Sequence, residues 1–377
     1  MKRTVPWFIP CLLFVLALAG CASDDNDEPA AFPAATVQQL DAAIDAEMAA
    51  QNLPGAVVAA WIPGQGSYVV ARGSADLSTG RPRAVDDPFR IASISKTFIG
   101  TAVLQLADRK RLATTDLLAR WYPDFPNAEL ITVDHLLRMR SGIPDSADSA
   151  FLAYYYADPL SGLKAEDMIA RAAARRGEFV APGTVTHYAN INFILLERIV
   201  EKASGTDIRS FLADNVFRPL GMSGTSYPTG PAFSGPLRGY SLDAASGRLV
   251  DRTVLDPTPA GGAGALISTV ADLRSYARAL CLGGLLDPET QRRRLLATPF
   301  ENGPPSSAAY GAAVARLGPF CGHNGTIFGF SSEMWYVPAK DAVVIVSVNR
   351  LDLDDESRSA AIFGRVARIL FADLLGG

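Results

Sequence analysis

Apolar residues recur along this chain in two rhythms. From Val37 to Ala50 the positions Val37, Leu40, Ile44 and Met48 form one stripe at helical spacing. Two short apolar runs follow, GAVVAAWI (55–62) and SYVVAR (67–72), separated by Pro63-Gly64-Gln65-Gly66, which predicts a β-hairpin. The other end of the chain mirrors this one. IFGFSSEMWYVP (327–338) and AVVIVSVNR (342–350) read as strands joined at Ala339-Lys340-Asp341, and Ala360 to Leu375 returns to helical spacing.

Between these ends the pattern is mostly helical, with loops marked by Pro and Gly. INFILLERIVEKASG (191–205) carries a 3.6-residue stripe and stops at Gly205, and TVADLRSYARAL (269–280) opens with Thr269 and Asp272 at capping-box spacing. There is no internal repeat. The pattern predicts an α+β fold: one antiparallel sheet built from both chain ends, flanked by helices, with a mostly helical region inserted between them.

The first residues have a different character. Lys2 and Arg3 precede an apolar run from Trp7 to Ala19, too short to span a membrane comfortably, which reads as an export signal. The run ends in Leu18-Ala19-Gly20-Cys21, which looks like a bacterial lipobox and implies cleavage before Cys21 and a lipid on its thiol. Residues 1–20 are then a signal peptide and 21–36, acidic and rich in Ala and Pro, a flexible tether. Residues 37–377 are expected to form the folded domain. The expected location is outside the cytoplasm, held by lipid on the outer side of the cytoplasmic membrane or in the periplasm or outer membrane. Ala22 after the cysteine fits outer-membrane sorting in a cell that has such a membrane.

Formal net charge is −4 and no basic run occurs, so nucleic acid is not an expected partner. Of the four cysteines, processing and lipidation leave Cys281 and Cys321, which could form a disulfide outside the cytoplasm.

Two serine–x–x–lysine pairs occur, and on a helix either could bring a hydroxyl and an amine together. Ser161 to Lys164 leads into AEDMIARAAARR, a charged amphipathic helix, where the lysine is a solvated residue and the serine a candidate N-cap. Ser93 to Lys96 leads into TFIGTAVLQLA, apolar nearly all round and therefore buried on most sides. A lysine buried there loses hydration, which lowers its pKa and favours a neutral amine able to take a proton from a nearby hydroxyl. Ser93 at the helix start also lies among free backbone N–H groups suited to an oxyanion.

Other routes to an activated serine lack support. No Gly-x-Ser-x-Gly is present, and the three histidines, His135, His187 and His323, lack metal-ligand spacing; no metal and no cofactor is expected. Tyr188-Ala189-Asn190 follows a Pro-Gly turn and precedes a helix, so both polar side chains sit on a loop able to face a cleft. His323-Asn324-Gly325-Thr326 lies near the C-terminal strands, where Asn-Gly can equally be a hairpin turn.

FRIASISKTF (89–98), YAN (188–190) and HNG (323–325), in this order, resemble the penicillin-recognising serine hydrolases, and most of all class C β-lactamases, soluble D-alanyl-D-alanine carboxypeptidases and related esterases. ITVDHLLRMRSGIPD (131–145) and AGGAGALISTVADL (260–273) look like further stretches of that family, and the likeness runs from about residue 37 to 370. The resemblance implies a β-lactamase/transpeptidase-like fold. It implies Ser93 as the nucleophile, Lys96 and Tyr188 as the proton relay, and Asn190 as a hydrogen-bond partner of Lys96 and of the substrate amide. It also implies that His323 tunes the field near Tyr188, that Asn324, Gly325 and Thr326 contribute to substrate binding, and that the backbone N–H groups of Ser93 and Thr326 form the oxyanion hole. Two departures bear on substrate. Asn324 stands where Thr or Ser is usual, which weakens carboxylate recognition, and His323 stands where β-lactamases commonly carry lysine. Arg140 is a third departure, where Thr or His is frequent; His135 and His187 are expected to be structural.

The resemblance, joined to the export signal, implies first a D-alanyl-D-alanine carboxypeptidase acting on cell-wall peptides. An esterase or amidase, or a weak β-lactamase, would use the same residues. A non-catalytic binding lipoprotein is the reading from a different class. Expected partners are a small peptide or ester, peptidoglycan peptides or β-lactams among them, and the membrane through the lipid.

Overall fold

A computed structural model describes residue 1 and residues 30–233, 235–301, 308–352 and 358–376. The lipobox and Cys21 lie outside the described residues.

Nine strands form one antiparallel sheet. They are β1 (Gly55–Ile62), β2 (Gly66–Asp76), β3 (Arg81–Pro82), β4 (Thr298–Pro299), β5 (Ala308–Tyr310), β6 (Ala315–Leu317), β7 (Phe320–Ile327), β8 (Phe330–Val337) and β9 (Ala342–Val348), in the order β3-β2-β1-β9-β8-β7-β6-β5-β4. The chain ends meet at its centre, where β1 pairs with β9 from Ala56 opposite Val348 to Trp61 opposite Val343. Both hairpins read from the sequence are therefore present and zipped together.

The sheet is covered on both faces, which is why β1 and β9 read as continuous apolar runs. Alternate residues of β1 serve different cores. Ala56, Val58, Ala60 and Ile62 pack with Leu40 and Ile44 of helix α1 (Ala34–Ala50) and with Ile362, Phe363 and Val366 of helix α5 (Arg358–Leu370). Val57, Ala59 and Trp61 face the inserted region instead, with α2 (Ser95–Asp108), α3 (Ile191–Ser204) and α4 (Val270–Leu282).

The expected tether is shorter than read. Phe32 is buried, its N–H bonds Ser67 O at 3.2 Å, and α1 begins at Ala34 behind Pro33, whose missing N–H costs nothing at a helix start. Ser161 is not an N-cap: Lys164 takes that position ahead of the helix Ala165–Ala174 and stays exposed. Asn324-Gly325 is not a turn either, because both residues lie inside β7, paired with Glu333 and Ser332 of β8. The turn comes later, at Phe328-Gly329, where Gly329 adopts φ +77°.

Cys281, at the end of α4, and Cys321, in β7, are joined in a disulfide across 40 residues. Closing a loop of that length restrains the unfolded chain by roughly 2–4 kcal/mol. Reduction, or Cys281→Ser with Cys321→Ser, is therefore expected to lower unfolding free energy by about that amount. Denaturant titration with and without reductant checks this; identical midpoints would contradict it.

Candidate active site

The chain reaches Ser93 through a short strand, Phe89–Arg90, paired with Ile267–Ser268. It then turns through a 3-10 segment, Ala92–Ile94, directly into α2. Ala92 sits at φ +47°, a left-handed conformation that costs an L-residue about 1–2 kcal/mol. The backbone is held there from outside by β7. A Cβ on Gly325 would lie 2.2 Å from Ile91 O and 3.0 Å from Ser93 N, so only glycine lets this strand lie against the serine turn.

Lys96, the second residue of α2, is 0% exposed. Its Nζ donates to Ser93 Oγ at 2.9 Å and to Ala263 O at 2.7 Å, and lies 4.9 Å from the centre of the Tyr188 ring. Desolvation lowers its pKa from 10.5 to about 7, against the opposing pull of the Asp145 carboxylate. A neutral amine can accept the Ser93 proton across the same 2.9 Å contact.

The YAN segment is brought to this pair by two residues. Arg140 donates through Nη2 to Gly183 O, and Gly183 N–H returns a bond to Arg140 O at 2.8 Å, tying down the loop that leads to Tyr188. This gives the departure at Arg140 a structural role. Asp145 accepts the Asn190 backbone N–H at 2.9 Å and its Nδ2 at 2.8 Å. The expected Asn190–Lys96 hydrogen bond is absent among the described residues, because a carboxylate competes for the asparagine amide and Lys96 is satisfied by Ser93 and Ala263. Sequence reading missed Asp145. It stands in the quoted SGIPD stretch, but nothing in that stretch says that it reaches a loop 45 residues away.

His323 is buried behind Tyr188, ring centres 6.2 Å apart, and does not line the pocket. Its Nδ1–H donates to Asn324 O at 2.6 Å, leaving Nε2 to accept from Tyr310 Oη–H at 3.1 Å. Burial and the nearby Lys96 push its pKa down to about 3, so the ring is neutral. Asn324 is exposed on the opposite face of the sheet, beside Glu333 and Trp335, because successive strand residues alternate. It therefore offers no side chain to the Ser93 pocket. Gly325 acts by close approach, and Thr326 lines the pocket with Ser93 and Asn190. His135 closes a reciprocal cap with Thr132, and His187 points to solvent.

From Ser93 this pocket runs between Phe151, Leu152, Tyr155, Met168, Ile194 and Phe328. Tyr155 stands 5.6 Å from Phe151 and 5.0 Å from Phe328, ring centre to ring centre, and its hydroxyl donates to Asp256 O. Ser93, Asn190 and Thr326 make one polar end, Asp352 is a further polar group in the lining, and the remaining walls are largely apolar.

The model of the beta-lactamase family matches residues 40–368. The chain belongs to the beta-lactamase family. Among curated relatives of this beta-lactamase family member, a putative penicillin-binding protein, PbpX, from Bacillus subtilis is 25% identical over 69% of this chain and 62% of its own length. Esterase EstB from Burkholderia gladioli is 31% identical over 52% of this chain and 53% of its own. The chain thus spans between half and two thirds of the length of these two. Among solved structures, a D-stereospecific amidohydrolase from Streptomyces sp. superposes with TM-score 0.77 and 27% identity, covering 90% of this chain and 98% of that one.

The buried amine sets a pH dependence. Proton transfer from Ser93 to Lys96 needs the amine uncharged, so the rate of any reaction at Ser93 is expected to fall tenfold per pH unit below about 7 and to level off above it. His323, neutral down to about 3, does not contribute to this limb. A pH–rate profile of the wild type and His323→Asn tests the assignment: the limb should survive in the variant, and a limb that moves with His323 would refute it.

Proposed function

We propose that this protein is a serine hydrolase that forms an acyl-enzyme at Ser93 on small amides or esters with an apolar acyl group. One observation carries the reading. A wholly buried amine with its pKa lowered to about 7 touches the hydroxyl of a serine at the mouth of an aromatic-walled pocket. Ser93 Oγ attacks the substrate carbonyl carbon while its proton passes to Lys96 Nζ. Collapse of the tetrahedral intermediate breaks the bond to the leaving amine or alcohol, which takes a proton relayed from Lys96, with Tyr188 as the second carrier. Water then attacks the acyl-enzyme, and Ser93 recovers its proton. The backbone N–H groups of Ser93 and Thr326 are the proposed oxyanion donors, and Asn190 the contact for the acyl amide.

D-alanyl-D-alanine carboxypeptidase is the narrower reading, supported by the complete motif set and by a penicillin-binding relative. That activity calls for a group to receive a terminal carboxylate. Among the described residues lining the pocket there is neither lysine nor arginine, Asn324 faces away, and His323 is neutral. The amide or ester reading therefore stands first, and it accords with the names of the esterase and the amidohydrolase. Weak turnover of β-lactams would use the same residues.

Short-chain and aromatic nitrophenyl esters, D-amino acid amides and a D-alanyl-D-alanine peptide, assayed side by side with Ser93→Ala, separate these readings. We expect ester and amide hydrolysis that falls by at least about 10³-fold in the variant, with larger kcat/KM for aromatic acyl groups. Equal rates in the two proteins would end the hydrolase reading and favour a binding lipoprotein. Release of D-alanine with little ester or amide turnover would restore the carboxypeptidase.

We propose further that Cys21 carries a lipid and holds the domain at the outer side of a membrane. The lipobox Leu18–Cys21 supports this, with the stretch from Ala22 to Ala30 as spacer. Detergent-phase partitioning of the expressed protein is expected for the wild type and lost in Cys21→Ala; a wild type that stays in the aqueous phase would exclude the anchor.

A further inference from the structure

Seven residues beyond Asn190, helix α3 carries a carboxylate that the mechanism above does not use. Glu197 is 2% exposed. Its Oε2 accepts Tyr227 Oη–H at 2.8 Å, Oε1 lies 3.5 Å from Arg198 Nη1, and the carboxylate faces the backbone N–H of Gly262 closely enough to feel its dipole. Gly262 is the middle residue of the 3-10 turn Gly261–Ala263. The next carbonyl in that turn, Ala263 O, is the one that receives Lys96 Nζ at 2.7 Å.

The turn has no slack. A Cβ on Gly262 would meet Phe193 O and Ile99 Cγ1 at 2.8 Å and Glu197 Oε2 at 3.0 Å. On Gly261, at φ +46°, it would again lie 3.0 Å from Glu197 Oε2. The turn is thus pressed between α2 and α3, with the Glu197 carboxylate as its polar contact. A buried carboxylate is costly unless its oxygens are hydrogen-bonded, and here its partners connect to the lysine in one step.

We infer that Glu197 is a positioning residue: by holding Gly262 N–H it sets the turn whose Ala263 carbonyl aims Lys96 Nζ at Ser93. This rests on the serine hydrolase reading. A carboxylate is the strongest side-chain acceptor for a backbone N–H, and the Tyr227 hydroxyl fixes its orientation. When the contact is lost, the turn relaxes, Lys96 loses its second anchor, and Ser93 loses a well-placed base. Ala263 itself lines the pocket, but the aromatic walls, Phe151, Tyr155 and Phe328, lie on other elements and stay in place. The loss should therefore fall on kcat and not on KM.

The test uses the full chain and three variants, Glu197→Ala, Glu197→Gln and Tyr227→Phe. A fluorophosphonate probe reports Ser93 directly, since Ser93 Oγ displaces fluoride from phosphorus and its proton passes to the base. Labelling rates are measured on folded protein, checked by circular dichroism, beside kcat and KM for a nitrophenyl ester. Glu197→Ala is expected to slow labelling and kcat together by about 10–100-fold, with KM shifted less than about threefold. Glu197→Gln keeps an acceptor for Gly262 and should recover to within about fivefold of the wild type. Tyr227→Phe frees the carboxylate without removing it and should cost about 3–10-fold; it decides the matter if Glu197→Ala does not fold. Wild-type rates in folded Glu197→Ala or Tyr227→Phe would overturn the inference, as would Glu197→Gln labelling as slowly as Glu197→Ala. A wild type not labelled at Ser93 would instead overturn the hydrolase reading, and the inference with it.

Discussion

Keeping water away from one amine is the constraint on which the rest of this structure depends. The drop in the Lys96 pKa from 10.5 to about 7 corresponds to roughly 5 kcal/mol of disfavour for its ammonium form. Only a closed packing arrangement can impose that. Helix α2 supplies it by being buried from Ser95 to Leu106, against α3 and, through the stacked rings of Phe98 and Tyr276, against α4. The Tyr188 ring lies beside the amine, and the pocket that opens on Ser93 is walled by apolar side chains. An apolar helix with one lysine would be a defect in a surface element; here it leaves an amine of lowered pKa in contact with Ser93.

A second constraint is the approach of β7 to the serine turn. Gly325 allows contact with Ile91 O and Ser93 N, and the same strand delivers Cys321 to the disulfide and His323 to the space behind Tyr188. Because the strand alternates, it cannot also deliver Asn324 to the pocket. One strand thus carries a backbone contact, a covalent tie and a neutral imidazole to one face, and sends its polar amide to the other. The weak provision for a substrate carboxylate follows from strand geometry as much as from residue identity.

Around the lysine, polar groups are satisfied in short chains. Asp145 holds Asn190, Arg140 holds the loop before Tyr188, and Glu197, bonded to Tyr227, lies against the turn that receives Lys96 Nζ. Each chain joins segments far apart in sequence and ends at a backbone group. The arrangement places reacting atoms by anchoring the main chain around them, which tolerates less drift than side-chain contacts alone.

Local pattern sufficed for the architecture and for the meeting of Ser93 with a buried Lys96. Two terminal hairpins with apolar strands leave few ways to bury their faces except one sheet with helices on both sides. The flanks of Ser93–Lys96 and Ser161–Lys164 separated a buried helix from a solvated one, because helical periodicity reports burial directly. The packing of β7 against Ile91 and Ser93 was not legible, and it decided that Asn324-Gly325 is strand and not turn. Nor were Asp145 and Glu197, ordinary acidic residues in helical or loop context whose partners, Asn190 and Gly262, stand 45 and 65 residues away. The sequence by itself determined most of the helices and strands and which serine stands beside a buried lysine, since those follow from spacing and burial within a few turns of chain. Only the tertiary structure decided which polar groups meet around Lys96, since hydrogen-bond partners are chosen by distance in space and carry no local periodicity.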